Sequence, residues 1–218
     1  MKKFIMSVPL AAAVLAGCQK MPSNVDADGE FLVSTSYDQE VDFSKYNTFT
    51  VADSIFVLDS YMGGDMVKNS FTDGLIDEYK DMMEACGYEY VQPPVDGGTT
   101  DADLGIQLTY VSDTDYYVDY VDPYWWLDYP GYWSSSYWGL WGGGWYYPYP
   151  VMYEFSTHSL MADMADLTAP EGENEDLTVV WSCMINGNVG ATRSDFVRFK
   201  TAIQQAFKQS PYLEKDAE

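Results

Sequence analysis

Apolar residues recur at every second position in several stretches of this chain. Leu177, Val179, Trp181, Cys183 and Ile185 do so over one uninterrupted run, and Leu104, Ile106, Leu108 and Tyr110 over another. A two-residue period is the signature of a strand with one face turned to a core. Phe31, Val33, Thr35 and Tyr37 predict a first strand by the same rule. Shorter β-prone runs begin at Thr48, span Ser54–Leu58 and span Tyr88–Val91. A longer candidate covers Tyr153–Leu167, although Asp163 and Asp166 count against it. Turns are expected at Ser44–Asn47 and in the acidic hairpin loop Pro170–Asp176. Gly63-Gly64-Asp65 reads as a break, and Gly187 and Gly190 as the end of the last strand.

Elsewhere the period changes. Val67, Phe71, Leu75, Tyr79, Met82 and Cys86 recur at steps of three or four, one face of an amphipathic helix, with Gly87 placed as its C-terminal cap. Phe196, Phe199, Ile203 and Phe207 form the apolar stripe of a second helix over Arg193–Gln209, which Pro211 stops. Two such helices and about six strands predict an α+β domain. The expected architecture is a mostly antiparallel sheet with both helices packed on one face, plus a long aromatic-rich insertion over 112–153.

The front of the chain has a different character. Lys2 and Lys3 precede an apolar run from Phe4 to Leu15, and Leu15-Ala16-Gly17-Cys18 follows. The run has signal-peptide length and is too short to span a bilayer as a helix, which needs about 20 apolar residues. The tetrapeptide reads as a lipobox. This arrangement resembles a bacterial lipoprotein precursor, and the resemblance implies cleavage before Cys18 and acylation of Cys18. Residues 1–17 are then a signal peptide, 18–29 a lipidated polar tether and 30–218 a single domain.

Charge narrows the partners. The chain carries 34 acidic and 11 basic residues, a formal net charge of −23, and loses Lys2 and Lys3 with the leader. So acidic a body is repelled by nucleic acid and by anionic lipid heads. Membrane contact is therefore expected through acyl chains on Cys18. The other two cysteines, Cys86 and Cys183, read either as a disulfide or as two small buried thiols.

Six of the seven tryptophans lie between Tyr116 and Tyr153, where Gly and Pro interrupt every period. Tyr124, Trp125, Trp126, Tyr132, Trp133, Trp138, Trp141, Trp145, Tyr146 and Tyr147 are the candidate binding surface. Three readings compete: a loop whose rings form their own small core, a contact surface, and insertion at a lipid interface. An envelope glycan, stacking its sugar faces on the rings, or another envelope protein would be the partner of a contact surface. Asp113, Asp115, Asp119, Asp122 and Asp128 oppose the lipid reading.

Catalytic constellations do not emerge. His158 is the one histidine, and no clustered ligands accompany it, so neither a metal nor another cofactor is expected. Nothing in the spacing joins His158 to Cys86 or Cys183 as base and nucleophile. Asp113, Asp115, Asp119 and Asp122 lack the glycine and terminal Glu of an EF-hand loop. Gly139–Trp145 lacks the Lys-Ser/Thr of a phosphate loop.

A resemblance extends over nearly the whole mature chain. Asp42-Phe43-Ser44-Lys45-Tyr46-Asn47-Thr48-Phe49, Gly87-Tyr88, Ala102-Asp103-Leu104, Met164-Ala165-Asp166-Leu167 and Leu177-Thr178-Val179-Val180-Trp181 occur in the order found in the bacterial envelope lipoproteins of the domain of unknown function 4136 type. The resemblance implies an α+β fold and an envelope location, and supplies no catalytic residues. Gln19, rather than Asp, after Cys18 favours an outer membrane, with the domain facing the periplasm. The expected role is a non-catalytic structural or binding module. The alternative is an envelope glycan-binding or glycan-acting enzyme that uses the aromatic segment as a stacking platform.

Overall fold

The computed structural model describes residues 31–60, 63–93, 100–111, 145–146, 148–149, 159–171, 176–187 and 193–215. The expected leader and tether, with Cys18, lie outside these residues, as does most of the aromatic stretch 112–153.

The alternating segments become strands: β1 (Leu32–Tyr37), β2 (Thr48–Val51), β3 (Ile55–Ser60), β4 (Gly63–Val67), β5 (Glu89–Tyr90), β6 (Leu104–Val111), β7 (Trp145–Tyr146), β8 (Ser159–Glu171) and β9 (Asp176–Asn186). The two helical stripes become α1 (Ser70–Ala85) and α2 (Arg193–Lys208). Among the described residues the strands form one sheet in the order β1-β9-β8-β6-β2-β5, with β3 beside β6, β4 beside β3 and β7 beside β9.

The sheet is mixed, which corrects the expectation of a mostly antiparallel one. β1/β9, β9/β8, β8/β6 and β3/β4 run antiparallel, whereas β2/β5, β2/β6, β3/β6 and β7/β9 run parallel. The reason is the connection. After β2 and β3 the chain returns through β4 and α1 over one face, so β5 and β6 start again from the end where β2 starts and run beside it in the same direction. Alternation reports which face is buried, and it is blind to the direction of the neighbour. Gly63-Gly64-Asp65, expected to break the chain, opens β4 instead, a strand that among the described residues pairs only with β3. Glycine is tolerated at such an edge.

Both helices cover one face of the sheet. Phe49, Leu104, Ile106, Leu108, Trp181 and Ile185 point at Leu75, Tyr79, Met83, Phe199, Ile203 and Phe207, and all are buried. α1 starts with a capping box: Asn69 Oδ1 accepts from the amides of Phe71 and Thr72, and the Asn69 amide donates to Thr72 Oγ1. It ends at Gly87, whose φ of 96° is the left-handed geometry that favours glycine. The helices pack so closely that a Cβ on Gly74 would meet the Phe196 ring at 2.5 Å. Glu78 is buried between them, where Lys200 Nζ pairs with it at 2.6 Å and Gln204 Nε2 donates to it at 2.7 Å. After α2 a 3-10 turn, Pro211–Leu213, closes the core, with Leu213 fully buried and Trp181 Nε1 donating to Ser210 Oγ at 3.0 Å.

Candidate functional site

Chemistry gathers on the other face of the sheet. Register places Gln107 of β6 opposite Asp163 of β8, Asp163 opposite Ser182 of β9, and Ser182 opposite Ser36 of β1. A polar row therefore crosses four strands. Asp163 is 1% exposed and Ser182 2% exposed, so the row lies beneath covering residues. Ser182 Oγ donates to Asp163 Oδ1 at 2.9 Å, and Tyr149 Oη lies 2.9 Å from Ser182 Oγ. The serine hydroxyl has one proton and gives it to the carboxylate, so Tyr149 is the donor in the second bond. The result is a directed chain from Tyr149 through Ser182 to Asp163.

Tyr149 is held at both ends. Its ring packs against the apolar end of this face, formed by Ala52, Ala102, Ala165, Leu167, Leu177 and Val179. Burial, first of all, pushes its phenol pKa above the usual tyrosine range, so the donor stays protonated at neutral pH. Around the row stand Thr50, Thr109 and Thr178, all buried, whose hydroxyls find no hydrogen-bond partner among the described residues. Gln107 Nε2 donates to the Leu108 carbonyl at 2.8 Å. The arrangement holds and orients. The Ser182 hydroxyl is enclosed and turned to Asp163.

A second polar group explains the sequence motifs. Asp103 Oδ2 accepts from the amides of Asn47 at 2.7 Å and Thr48 at 3.0 Å, and the Asp103 amide donates to Thr48 Oγ1 at 2.9 Å. Tyr46 Oη donates to Asp166 Oδ2 at 2.8 Å, and Asp166 Oδ1 accepts from the amide and hydroxyl of Thr168. Asp42 caps the 3-10 turn Phe43–Lys45 through the Ser44 amide. The Asp-Phe-Ser-Lys-Tyr-Asn-Thr-Phe, Ala-Asp-Leu and Ala-Asp-Leu segments thus form one seam that fixes β2 against β6 and β8. These motifs are scaffold.

Of the residues expected to act, Trp145 and Tyr146 form β7, which pairs with Leu177 and Thr178 of β9. Tyr124, Trp125, Trp126, Tyr132, Trp133, Trp138, Trp141 and Tyr147 lie outside the described residues, as do His158 and the acidic run Asp113–Asp122. Cys86 and Cys183 are free thiols, which corrects the disulfide reading. Burial pushes the Cys86 thiol up to about 11 and that of Cys183 to about 12. Among the described residues no cluster of His, Cys, Asp and Glu could hold a metal ion, and no helix is long and apolar enough to cross a membrane. In the sequence pattern Asp163 stands only as a defect in its strand. A single Asp inside the apolar run Leu160-Met161-Ala162-Asp163-Met164-Ala165 is itself the signal, because a buried carboxylate needs donors.

A large mixed sheet, helices on one face and a buried polar row on the other define a mixed α/β module. The chain belongs to the family DUF4136, domain of unknown function, whose model matches residues 33–212. It is similar to a DUF4136 family protein from Bacteroides thetaiotaomicron VPI-5482, solved by crystallography, at 39% identity and a TM-score of 0.71, over 87% of this chain and 100% of that one. A PelC dodecamer from Paraburkholderia phytofirmans gives a TM-score of 0.38 at 10% identity, over 84% of this chain and 98% of that one. No curated protein matches.

Proposed function

We propose that this protein is an acylated lipoprotein of the bacterial envelope, held by Cys18 at the outer membrane and facing the periplasm. Its role is that of a non-catalytic binding or structural module. The observation that carries this reading is the order Lys2-Lys3, apolar run, Leu15-Ala16-Gly17-Cys18, set a short polar stretch ahead of a domain whose first strand begins at Leu32. Two or more acyl chains on one cysteine give stable anchoring, at roughly 0.8 kcal/mol per buried CH₂. The contact surface is the aromatic segment. In support, its described residues are fixed to the sheet, Trp145–Tyr146 by pairing with β9 and Tyr149 through Ser182. Rigid attachment lowers the ordering cost of presenting rings to a partner.

Two measurements test the proposal. Mass spectrometry of the membrane-extracted protein should find Cys18 as an acylated N-terminus, and Cys18→Ala should release the chain from the membrane fraction. An unmodified Cys18 would end the lipoprotein reading. For the surface, Trp fluorescence of a form beginning at Gln19 should shift saturably with envelope glycans or peptidoglycan fragments. Replacing Trp125, Trp126, Trp138 and Trp141 by Ala should abolish the shift in a folded protein. If those substitutions unfold the domain instead, the rings are core.

A further inference from the structure

Among the described residues β1, β4, β5 and β7 each pair on one side only. A free strand edge offers its amides and carbonyls to another chain, and native proteins usually blunt it. β5 and β7 are blunted by length, at two residues each. β4 opens on Gly63 and Gly64, carries Asp65 and meets β3 through a bulge at Leu58–Ser60. β1 has none of these devices. Its six residues, Leu-Val-Ser-Thr-Ser-Tyr, include no proline, glycine or charge, and they keep unbroken register with β9. Leu32 and Ser34 are exposed and the other four partly so, whereas β6 is buried throughout. β7 joins β9 further along, at Leu177 and Thr178, clear of the β1 partners Trp181–Asn186. The ladder also fixes which groups face out. The Asp38 amide donates to the Val180 carbonyl at 3.0 Å. Antiparallel bonding alternates along a strand, so Leu32, Ser34 and Ser36 also turn their N–H and C=O to β9. Val33, Thr35 and Tyr37 turn theirs outward.

We propose that β1 pairs antiparallel with β1 of a second copy of this chain, giving a two-fold dimer with one continuous sheet. The strand is complementary to itself. Outward residues must meet outward residues, so a ladder with Thr35 on the two-fold axis sets Val33 opposite Tyr37 of the second copy. Thr35 then stands opposite Thr35, and Ser34 opposite Ser36. Aromatic with β-branched, and hydroxyl with hydroxyl, are favourable cross-strand pairs. From Leu32 to Asp38 no charge faces another, because Asp38 falls opposite Leu32. A different protein would have to bring an uncharged edge of this same pattern, whereas a second copy always carries it. The interface is isologous and closes on itself, so it stops at two chains. The net charge of −23 opposes the approach, but that repulsion is screened beyond about 8 Å at physiological salt. Pairing therefore strengthens as salt rises, the reverse of an ionic contact. The reading of Cys18 as the anchor adds one point. Gln19–Glu30 leads directly toward β1, so copies held in one leaflet present this strand at matching heights, at an effective concentration of about millimolar.

The test uses the chain from Cys18 to Glu218, without acyl groups and kept reduced, so it does not depend on the anchor. Sedimentation should show the mass doubling as concentration rises from micromolar to about millimolar, the range a short tether supplies. Over the same range, amide exchange read by NMR should slow several-fold at Val33, Thr35 and Tyr37. Ser34 and Ser36, already bonded to β9, should change far less. Thr35→Pro removes one outward N–H and leaves the bonds to β9, a position where an edge strand tolerates proline. It should give a folded monomer, while Thr35→Val still dimerises. A chain that stays monomeric at millimolar concentration overturns the proposal. So does a dimer whose Val33, Thr35 and Tyr37 amides exchange as fast as in the monomer, a reading on the unaltered chain that stands whatever Thr35→Pro does to the fold. A dimer that survives Thr35→Pro also overturns it, by placing the interface elsewhere.

Discussion

On the helix side of β6 stand Leu104, Ile106 and Leu108; on the other side stand Gly105, Gln107 and Thr109, and all are buried. The same contrast runs along β8, where Leu160, Ala162 and Met164 oppose Asp163, and along β9, where Trp181 and Cys183 flank Ser182. Burial alone therefore does not say how a face is stabilised. The helix side relies on large apolar area and close packing, where roughly 25 cal/mol accrues per Å² removed from water. The other side buries hydroxyls and a carboxylate, and depends on their hydrogen bonds to avoid a desolvation penalty.

Substitutions can break this contrast in order of size. Phe199→Ala, in the middle of the helix-side core, should cost about 4 kcal/mol in chemical denaturation. A loss below about 1 kcal/mol would mean that the helix layer does not carry the stability. Asp163→Ala strips Ser182 of its acceptor and should cost about 2 kcal/mol, with Asp163→Asn recovering part of it. If Asp163→Leu were instead stabilising, the polar row would be kept for something other than stability. Tyr149→Phe removes one hydroxyl and should cost about 1 kcal/mol, without moving the midpoint of a Ser182→Ala protein further.

A pH series sharpens the helix side. Burial, above all, raises the Cys183 thiol from 9.0 to about 12 beneath Tyr79. The folded state favours the neutral thiol, so its contribution is complete below pH 9 and is lost as pH rises toward 12. The denaturation midpoint should fall over that window, and Cys183→Ala should fall less steeply. At neutral pH this group has no leverage, which makes it the smallest of the effects.

The helix side was also the readable side. Leu177 to Ile185 and Leu104 to Tyr110 announce themselves because a strand with one apolar face has only one period to follow. Phe196, Phe199, Ile203 and Phe207 do the same for α2. Pairing was not readable, since β2 and β6 become parallel neighbours only through the crossover of α1, about which Phe49 and Leu104 say nothing locally. β4 was missed because Gly63 and Gly64 look alike in a break and at a sheet edge. The polar row was hidden for a different reason. Gln107, Asp163 and Ser182 lie on three strands and form a site only when register aligns them, whereas each alone reads as a solvent-facing residue. The family motif, by contrast, was plain in sequence and proved to be a seam of backbone amides on Asp103.

Leu32 pairs with Asn186, and Ser210 caps the indole of Trp181, so the two ends of the domain close on each other. This sets a timetable. A chain synthesised from its N-terminus delivers β1 early and its partner β9 late. Until then β1 has no neighbour in the sheet, and the core lacks Phe199, Phe207 and Leu213. Contacts this distant in sequence are slow to form, because loop closure must precede any gain from pairing. The sheet therefore closes late, when β9 and α2 reach a first strand that has been waiting for them.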